Sequence, residues 1–254
     1  MPSDMKQNIE SLGFEYLISN DQRVLRAAAS FVAEIFVIRL NIPNNKWSDL
    51  LNKLAENVQC NNFNIKKASI LTIAFICELI GGADVKMDLD DVQSMLQCIC
   101  VVIDNQNNQS QDDLDLRTEG LKAFSYAHKT FSDLMNERED VRTFTMNLFV
   151  HNIMLMCTNK TGDWIPMMAW QCLTDASALI YDNLLQYFPV LAEKSLLLMN
   201  DPNVDNYIKI AATEFWTAIA EEEVDRKVNI QGDSSSNTSN KAYVKVNHNF
   251  IAKN

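Results

Sequence analysis

Lys67-Ala68-Ser69-Ile70-Leu71-Thr72-Ile73-Ala74-Phe75-Ile76-Cys77-Glu78-Leu79-Ile80-Gly81-Gly82 is the stretch on which the fold turns. It opens on small residues, runs through an apolar middle and stops at paired glycines. Ile70, Ile73, Ala74, Cys77 and Ile80 recur at helical spacing, which gathers them into one stripe of an amphipathic helix. The glycines punctuate its end. Beyond a polar linker a second stripe follows, made of Val92, Met95, Leu96, Ile99 and Ile103. Before it lies a third, Leu50, Leu51, Leu54 and Val58. The chain here reads as helix, break, helix, with no strand-like alternation.

The same unit recurs along the chain. Small residues open its first helix at Arg26-Ala27-Ala28-Ala29, Lys67-Ala68-Ser69, Thr118-Glu119-Gly120, Met168-Ala169-Trp170 and Ala211-Ala212-Thr213. Counted from Ala28 to Ala68, Glu119, Ala169 and Ala211, the steps are roughly 40 to 50 residues, against roughly 40 to 47 for two-helix solenoid units. Breaks are expected at Pro43-Asn44-Asn45, Gly81-Gly82, Asp104 to Asp113, Gly162 and Asp201-Pro202-Asn203. One helix burying about five large apolar side chains gains on the order of 8 to 15 kcal/mol. Ordering a 40-residue unit costs at least as much in backbone entropy. Each unit therefore needs neighbours, and the expected fold is all-α: a right-handed α–α superhelix of the HEAT/armadillo-like type with about five helix pairs.

This predicts four regions: 1–20, a remnant helix of a preceding repeat; 21–230, the solenoid; 231–240, a flexible Ser/Asn-rich loop; and 241–254, the start of a further repeat. Both ends read as open, as in a piece of a longer solenoid.

Composition narrows the function. With 33 acidic against 22 basic residues the formal charge is −11, which argues against nucleic acid and suits a basic protein partner. No apolar run reaches the roughly 18 residues of a membrane span, and no secretory leader is read after Met1. Cys60, Cys77, Cys98, Cys100, Cys157 and Cys172 lack Cys-x-x-Cys spacing and sit mostly in apolar helical patterns, so they read as reduced core thiols. The sequons at Asn108, Asn159 and Asn237 then carry no meaning for glycosylation. His128 and His151 have no second ligand at i+4 and His248 lies in the tail, and the Asp104–Asp115 segment has Gln109 where a calcium loop needs glycine and Asp115 where it needs glutamate. No phosphate loop, nucleophile elbow or Cys/His pairing is present, so the reading is of a scaffold rather than an enzyme, with no cofactor and no metal.

Three segments are more specific. Arg26 to Val58 contains Ile42-Pro43-Asn44-Asn45-Lys46-Trp47-Ser48-Asp49-Leu50 followed by Leu54-Ala55-Glu56-Asn57-Val58. Ile70 to Glu78 continues the pattern, and Ala211 to Asp225 holds Glu214-Phe215-Trp216 with an acidic exit. These resemble the importin-β (karyopherin-β) family, whose repeats carry Ile-Pro-x-x-x-Trp-x-x-Leu, Leu-x-x-Asn-Val and a Glu-Phe-Trp helix. Asn240-Lys241-Ala242-Tyr243 is similar to the family's re-entry after a loop. By order of repeats the chain corresponds to roughly the third to seventh units of the N-terminal portion.

The resemblance implies a nuclear transport receptor, found in cytoplasm, nucleus and nuclear pore, that binds Phe-Gly nucleoporins. In a longer chain it would also bind Ran-GTP and importin-α or basic cargo. Carried over by position, the Phe-Gly groove lies between the helices of Val92–Ile103 and Val141–His151, with Leu96, Gln97, Cys100, Phe144 and Thr145 as its residues. Cys100 and Thr145 stand where the family tends to have larger aliphatic side chains. Taken singly, Leu96 and Phe144 on apolar stripes are more often core than pocket. Trp47, Trp164, Trp170 and Trp216 read as packing anchors, and Asn136–Asp140 and Glu221–Glu223 as solvated helix ends. A HEAT-type scaffold of another complex, such as a phosphatase, is the alternative.

Overall fold

The computed structural model describes residues 3–40, 42, 47–81, 85, 87–104, 110–155 and 164–233. Among them are eleven α-helices: α1 (Ser3–Leu17), α2 (Gln22–Leu40), α3 (Ser48–Gln59), α4 (Phe63–Gly81), α5 (Leu89–Ile103), α6 (Gln111–Ala127), α7 (Ser132–Glu137), α8 (Glu139–Leu155), α9 (Trp164–Leu184), α10 (Phe188–Asn200) and α11 (Asn206–Asp233). No strand occurs among the described residues. The predicted breaks at Pro43–Asn45, Gly82 and Gly162, Cys157, the sequons, most of the predicted loop and the whole of 241–254 lie outside them. Past Gly232 the final helix still continues to Asp233.

Two layers result. The five predicted first helices, α2, α4, α6, α9 and α11, pack one on the next in chain order. Each of α3, α5 and α8 packs on the first helix that follows or joins its unit, and α3 and α8 flank α5. Helix α1 packs on α2. The core is one continuous ribbon in which successive first helices bury Phe36, Ile73, Phe124, Trp170 and Phe215. Phe124 meets Phe149 of α8 edge-on at 4.6 Å, and Trp170 meets Phe215 at 5.4 Å, so aromatic rings bridge both partner and neighbour helices.

The small residues lie inside the first helices rather than at their starts. Each first helix begins one to two turns before them, at Gln22, Phe63, Gln111, Trp164 and Asn206. At Gly120 a Cβ would lie 3.0 Å from Ile103 Cγ1 and 3.2 Å from Val102 Cγ1, so α5 and α6 approach closely only because position 120 has no side chain. Helix α6 gains its extra turn from Ser110, whose Oγ accepts from the Asp113 amide at 3.2 Å as an N-cap.

Polar contacts pin neighbouring units. Thr130 Oγ1 donates to the Cys77 carbonyl at 2.8 Å, Cys172 Sγ to the Leu121 carbonyl at 3.2 Å, and Ser125 bonds Asp175. Trp216 Nε1 donates to Ser195 Oγ at 2.8 Å, tying α11 to α10. Two sequence readings change. Trp164 is 60% exposed at the start of α9 and anchors nothing in the core, because Ile165, Pro166, Ala169 and Trp170 supply the buried stripe. Glu222 and Glu223 lie inside α11, not at a helix end: Arg226 bonds Glu222 at 2.6 Å and Asp182 at 3.0 Å, and Tyr181 Oη donates to Glu223 at 2.9 Å. The Arg226 guanidinium also lies over the Tyr181 ring, 4.4 Å from its centre.

Candidate functional site

Helix α5 is the element to follow. Asp90 and Asp91 in its first turn favour the helix dipole, and Arg138 at the α7–α8 junction reaches Asp90 at 3.5 Å. Its inner face buries Val92, Met95, Leu96, Ile99 and Ile103. On the outer side a depression of about 500 Å³ runs across α3, α5 and α8. From α5 and its C-cap it is lined by Gln93, Ser94, Gln97, Cys98, Cys100, Val101 and Asp104. Helix α3 contributes Leu51, Asn52, Ala55, Val58 and Gln59; α8 contributes Asp140, Val141 and Phe144.

Of the five residues singled out in the sequence, three line this depression: Gln97, Cys100 and Phe144. Phe144 is 53% exposed and is therefore not a core residue. Leu96 and Thr145 are 1% and 0% exposed and lie behind the surface. Thr145 Oγ1 bonds the Val141 carbonyl at 2.8 Å, satisfying its hydroxyl within α8, and sits 3.9 Å from Cys100 Sγ across the seam. Helical phase explains the split. Leu96 shares the inward stripe of Val92 and Ile99, while Gln97 is a further 100° or so round the helix. The α3 side and Val101, which is 52% exposed, were missed. A reading helix by helix finds stripes, but which two helices face one depression is a tertiary fact.

The thiols here are chemically quiet. Burial pushes Cys98 up to about 11 and Cys100 up to about 12, the latter eased by Thr145 and raised further by Asp104. Both stay protonated at neutral pH and pack as small apolar side chains. Among the described residues no group of three or more His, Cys, Asp or Glu could hold a metal. No described helix is long and apolar enough to cross a membrane.

Stacked two-helix units with an outward depression between them define the class: a HEAT-type helical-repeat solenoid. Within that class the sequence relatives are importin-β subunits, and the chain has the importin-β solenoid fold. No protein-family model matches it. It is 26% identical to importin subunit beta-1 of Schizosaccharomyces pombe, over 98% of this chain and 27% of the relative. To importin subunit beta-1 of Saccharomyces cerevisiae it is 25% identical, over 87% of this chain and 24% of the relative. Among solved structures a Kap95:Nup1 complex superposes with a TM-score of 0.78 at 23% identity, over 96% of this chain and 27% of that one. Yeast importin-β (Kap95p) gives 0.77 at 22% identity, with the same coverage. The chain thus spans 24–27% of the length of these curated relatives.

Proposed function

We propose that the chain acts as a segment of a nuclear transport receptor, a non-enzymatic scaffold working between cytoplasm and nucleus, and that it binds Phe-Gly nucleoporin strands at the seam of α5 and α8. The observation that carries this reading is the half-exposed Phe144 standing beside Val141 and Cys100 in a depression edged by amide side chains. Relatives that are importin-β subunits support it, as does a structural neighbour solved as a Kap95:Nup1 complex.

The mechanism follows from magnitudes. Burying one phenylalanine is worth about 1.5 to 3 kcal/mol, short of the roughly 4 kcal/mol of millimolar affinity. A single contact therefore exchanges fast. Many such contacts along one disordered strand retain the receptor through effective concentration while each remains reversible. The net charge of −11 draws basic chains towards the same solenoid, and we assign to it a share in binding basic cargo or importin-α, and Ran-GTP, within a longer receptor.

Capture on immobilised Phe-Gly peptides tests the reading. The chain should be retained, and lost when each peptide phenylalanine is replaced by serine. Equal retention on both peptides would refute it.

A further inference from the structure

Phe144 of α8 and Cys100 of α5 meet at the seam, and each has a carboxylate one helical turn away. Asp140 stands four residues before Phe144, on the same face of α8. Asp104 follows Cys100 by four and caps α5, its amide bonded to the Cys100 carbonyl at 2.9 Å. Both aspartates are exposed and line the depression, and its lining among the described residues includes no Lys or Arg. The two arginines beside Asp140 in sequence are engaged elsewhere: Arg138 with Asp90 at 3.5 Å, and Arg142 with the Met135 and Asn136 carbonyls at 2.6 and 3.4 Å. Asp104 is within electrostatic reach of Arg117, so Asp140 carries the larger share of the field at the seam.

The two carboxylates stand at opposite ends of the seam. Helices α5 and α8 run parallel, since the contacts Asp90–Arg138 and Cys100–Thr145 step forward along both. From the level of the Cys100–Thr145 contact, Asp140 lies five residues back and Asp104 four residues on, a span of about 14 Å at 1.5 Å per residue. An extended strand laid along the seam advances about 3.3 Å per residue and turns every second side chain to one face, so it crosses this span in about four residues. A phenylalanine held against Phe144, near the middle, then has its neighbours two positions before and two positions after beside the carboxylates. We propose that Asp140 and Asp104 are specificity-determining residues of this seam, which select, among Phe-Gly strands, those with Lys or Arg two positions from the phenylalanine and reject those with Asp or Glu there. This rests on the Phe-Gly reading above and adds to it the charge of the strand and the place of that charge. Exposed opposite charges attract weakly and like charges repel by a similar amount, so the pair changes which strand is held while each contact still exchanges fast.

The test is fluorescence anisotropy with the whole 254-residue chain and labelled peptides of equal length whose cores read Lys-Gly-Phe-Gly-Lys, Ser-Gly-Phe-Gly-Ser and Glu-Gly-Phe-Gly-Glu. At an ionic strength of about 0.05 M the lysine peptide should bind about threefold tighter than the serine peptide and about tenfold tighter than the glutamate peptide. At about 0.5 M salt the tenfold ratio should shrink to about twofold. Asp140→Asn with Asp104→Asn should bring the three affinities within about twofold of one another, and Asp140→Lys should reverse their order. Glu34→Gln with Glu214→Gln, at exposed positions on α2 and α11, removes the same amount of charge from the chain's −11 and should leave the preference in place. Equal affinities in the wild type, a preference that survives the double aspartate variant, or one that the α2 and α11 variant abolishes would overturn the assignment to Asp140 and Asp104. In each of those cases, binding of the serine-flanked peptide that is lost when its phenylalanine becomes serine leaves the Phe-Gly reading standing. Absence of any phenylalanine-dependent binding overturns both.

Discussion

Cys100 Sγ and Thr145 Oγ1 lie 3.9 Å apart across the seam of α5 and α8, with Thr145 wholly buried and Cys100 nearly so. The seam is thus closed at its base by two small side chains, and what it offers to a partner is the material above them: Phe144, Val141, Gln97 and Val101. This separates residues that hold the surface from residues that present it.

Leu96 and Phe144 should separate cleanly on substitution. Leu96→Asp would bury a carboxylate on the inner face of α5 and should cost about 3 kcal/mol or more. Phe144→Ser removes a half-exposed ring and should cost about 1 kcal/mol or less while weakening Phe-Gly capture. Urea denaturation of both variants checks this; comparable stability losses would mean that Phe144 is a packing residue.

Gly120→Ala should destabilise although alanine is the better helix former. The added methyl meets Ile103 and Val102 at 3.0 and 3.2 Å. Overpacking of this kind typically costs about 1 to 3 kcal/mol, against a gain of about 1 kcal/mol in helix propensity. A rise in the melting temperature would show that α5 can move away from α6.

Alkaline pH should act through the buried thiols. Burial raises Cys77, Cys98, Cys100 and Cys172 above their ordinary value of 9.0. Above pH 9 the unfolded chain releases these protons and the folded chain keeps them, so stability is retained below pH 9 and falls as pH rises beyond it. Each fully buried thiol should contribute a loss of about 1 kcal/mol between pH 9 and 10. The difference between wild type and Cys77→Val, measured by denaturation at both pH values, isolates one thiol; no change in that difference would contradict the assignment.

Arg226 should matter locally. It joins Glu222 on its own helix to Asp182 and the Tyr181 ring on α9. Because the group is partly exposed, Arg226→Ala should cost only about 1 kcal/mol globally. Hydrogen exchange should nevertheless quicken in α11 around Glu222–Arg226 while α4 and α6 stay protected. Uniform acceleration across the chain would argue against a local clasp.

The repeat was legible because each unit states it twice, once in the stripe of Ile70, Ile73, Cys77 and Ile80 and again in the small residues at Ala68 and Gly120. Its limits are equally specific. Small residues recur at the unit's period and so suggest helix starts, whereas the helices begin one to two turns earlier, and at Gly120 the small residue serves the close approach of α5 and α6. Glu222 and Glu223 looked solvated because a run of acids carries no sign of the Arg226 and Tyr181 that receive them. At the seam, Gln97 and Phe144 come to one surface, Cys100 and Thr145 close its base, and Leu96 turns inward by a step of helical phase. The α3 wall could not be read, since nothing in the residues of α3 names α5 as its neighbour.

The most direct measurement is the affinity of the isolated chain for a Phe-Gly peptide, compared between wild type and Phe144→Ser after both are shown to be equally helical. The account predicts weak, rapidly exchanging binding to the wild type that drops about tenfold in the variant and vanishes when the peptide phenylalanine becomes serine. Binding of equal strength to wild type and variant would contradict it.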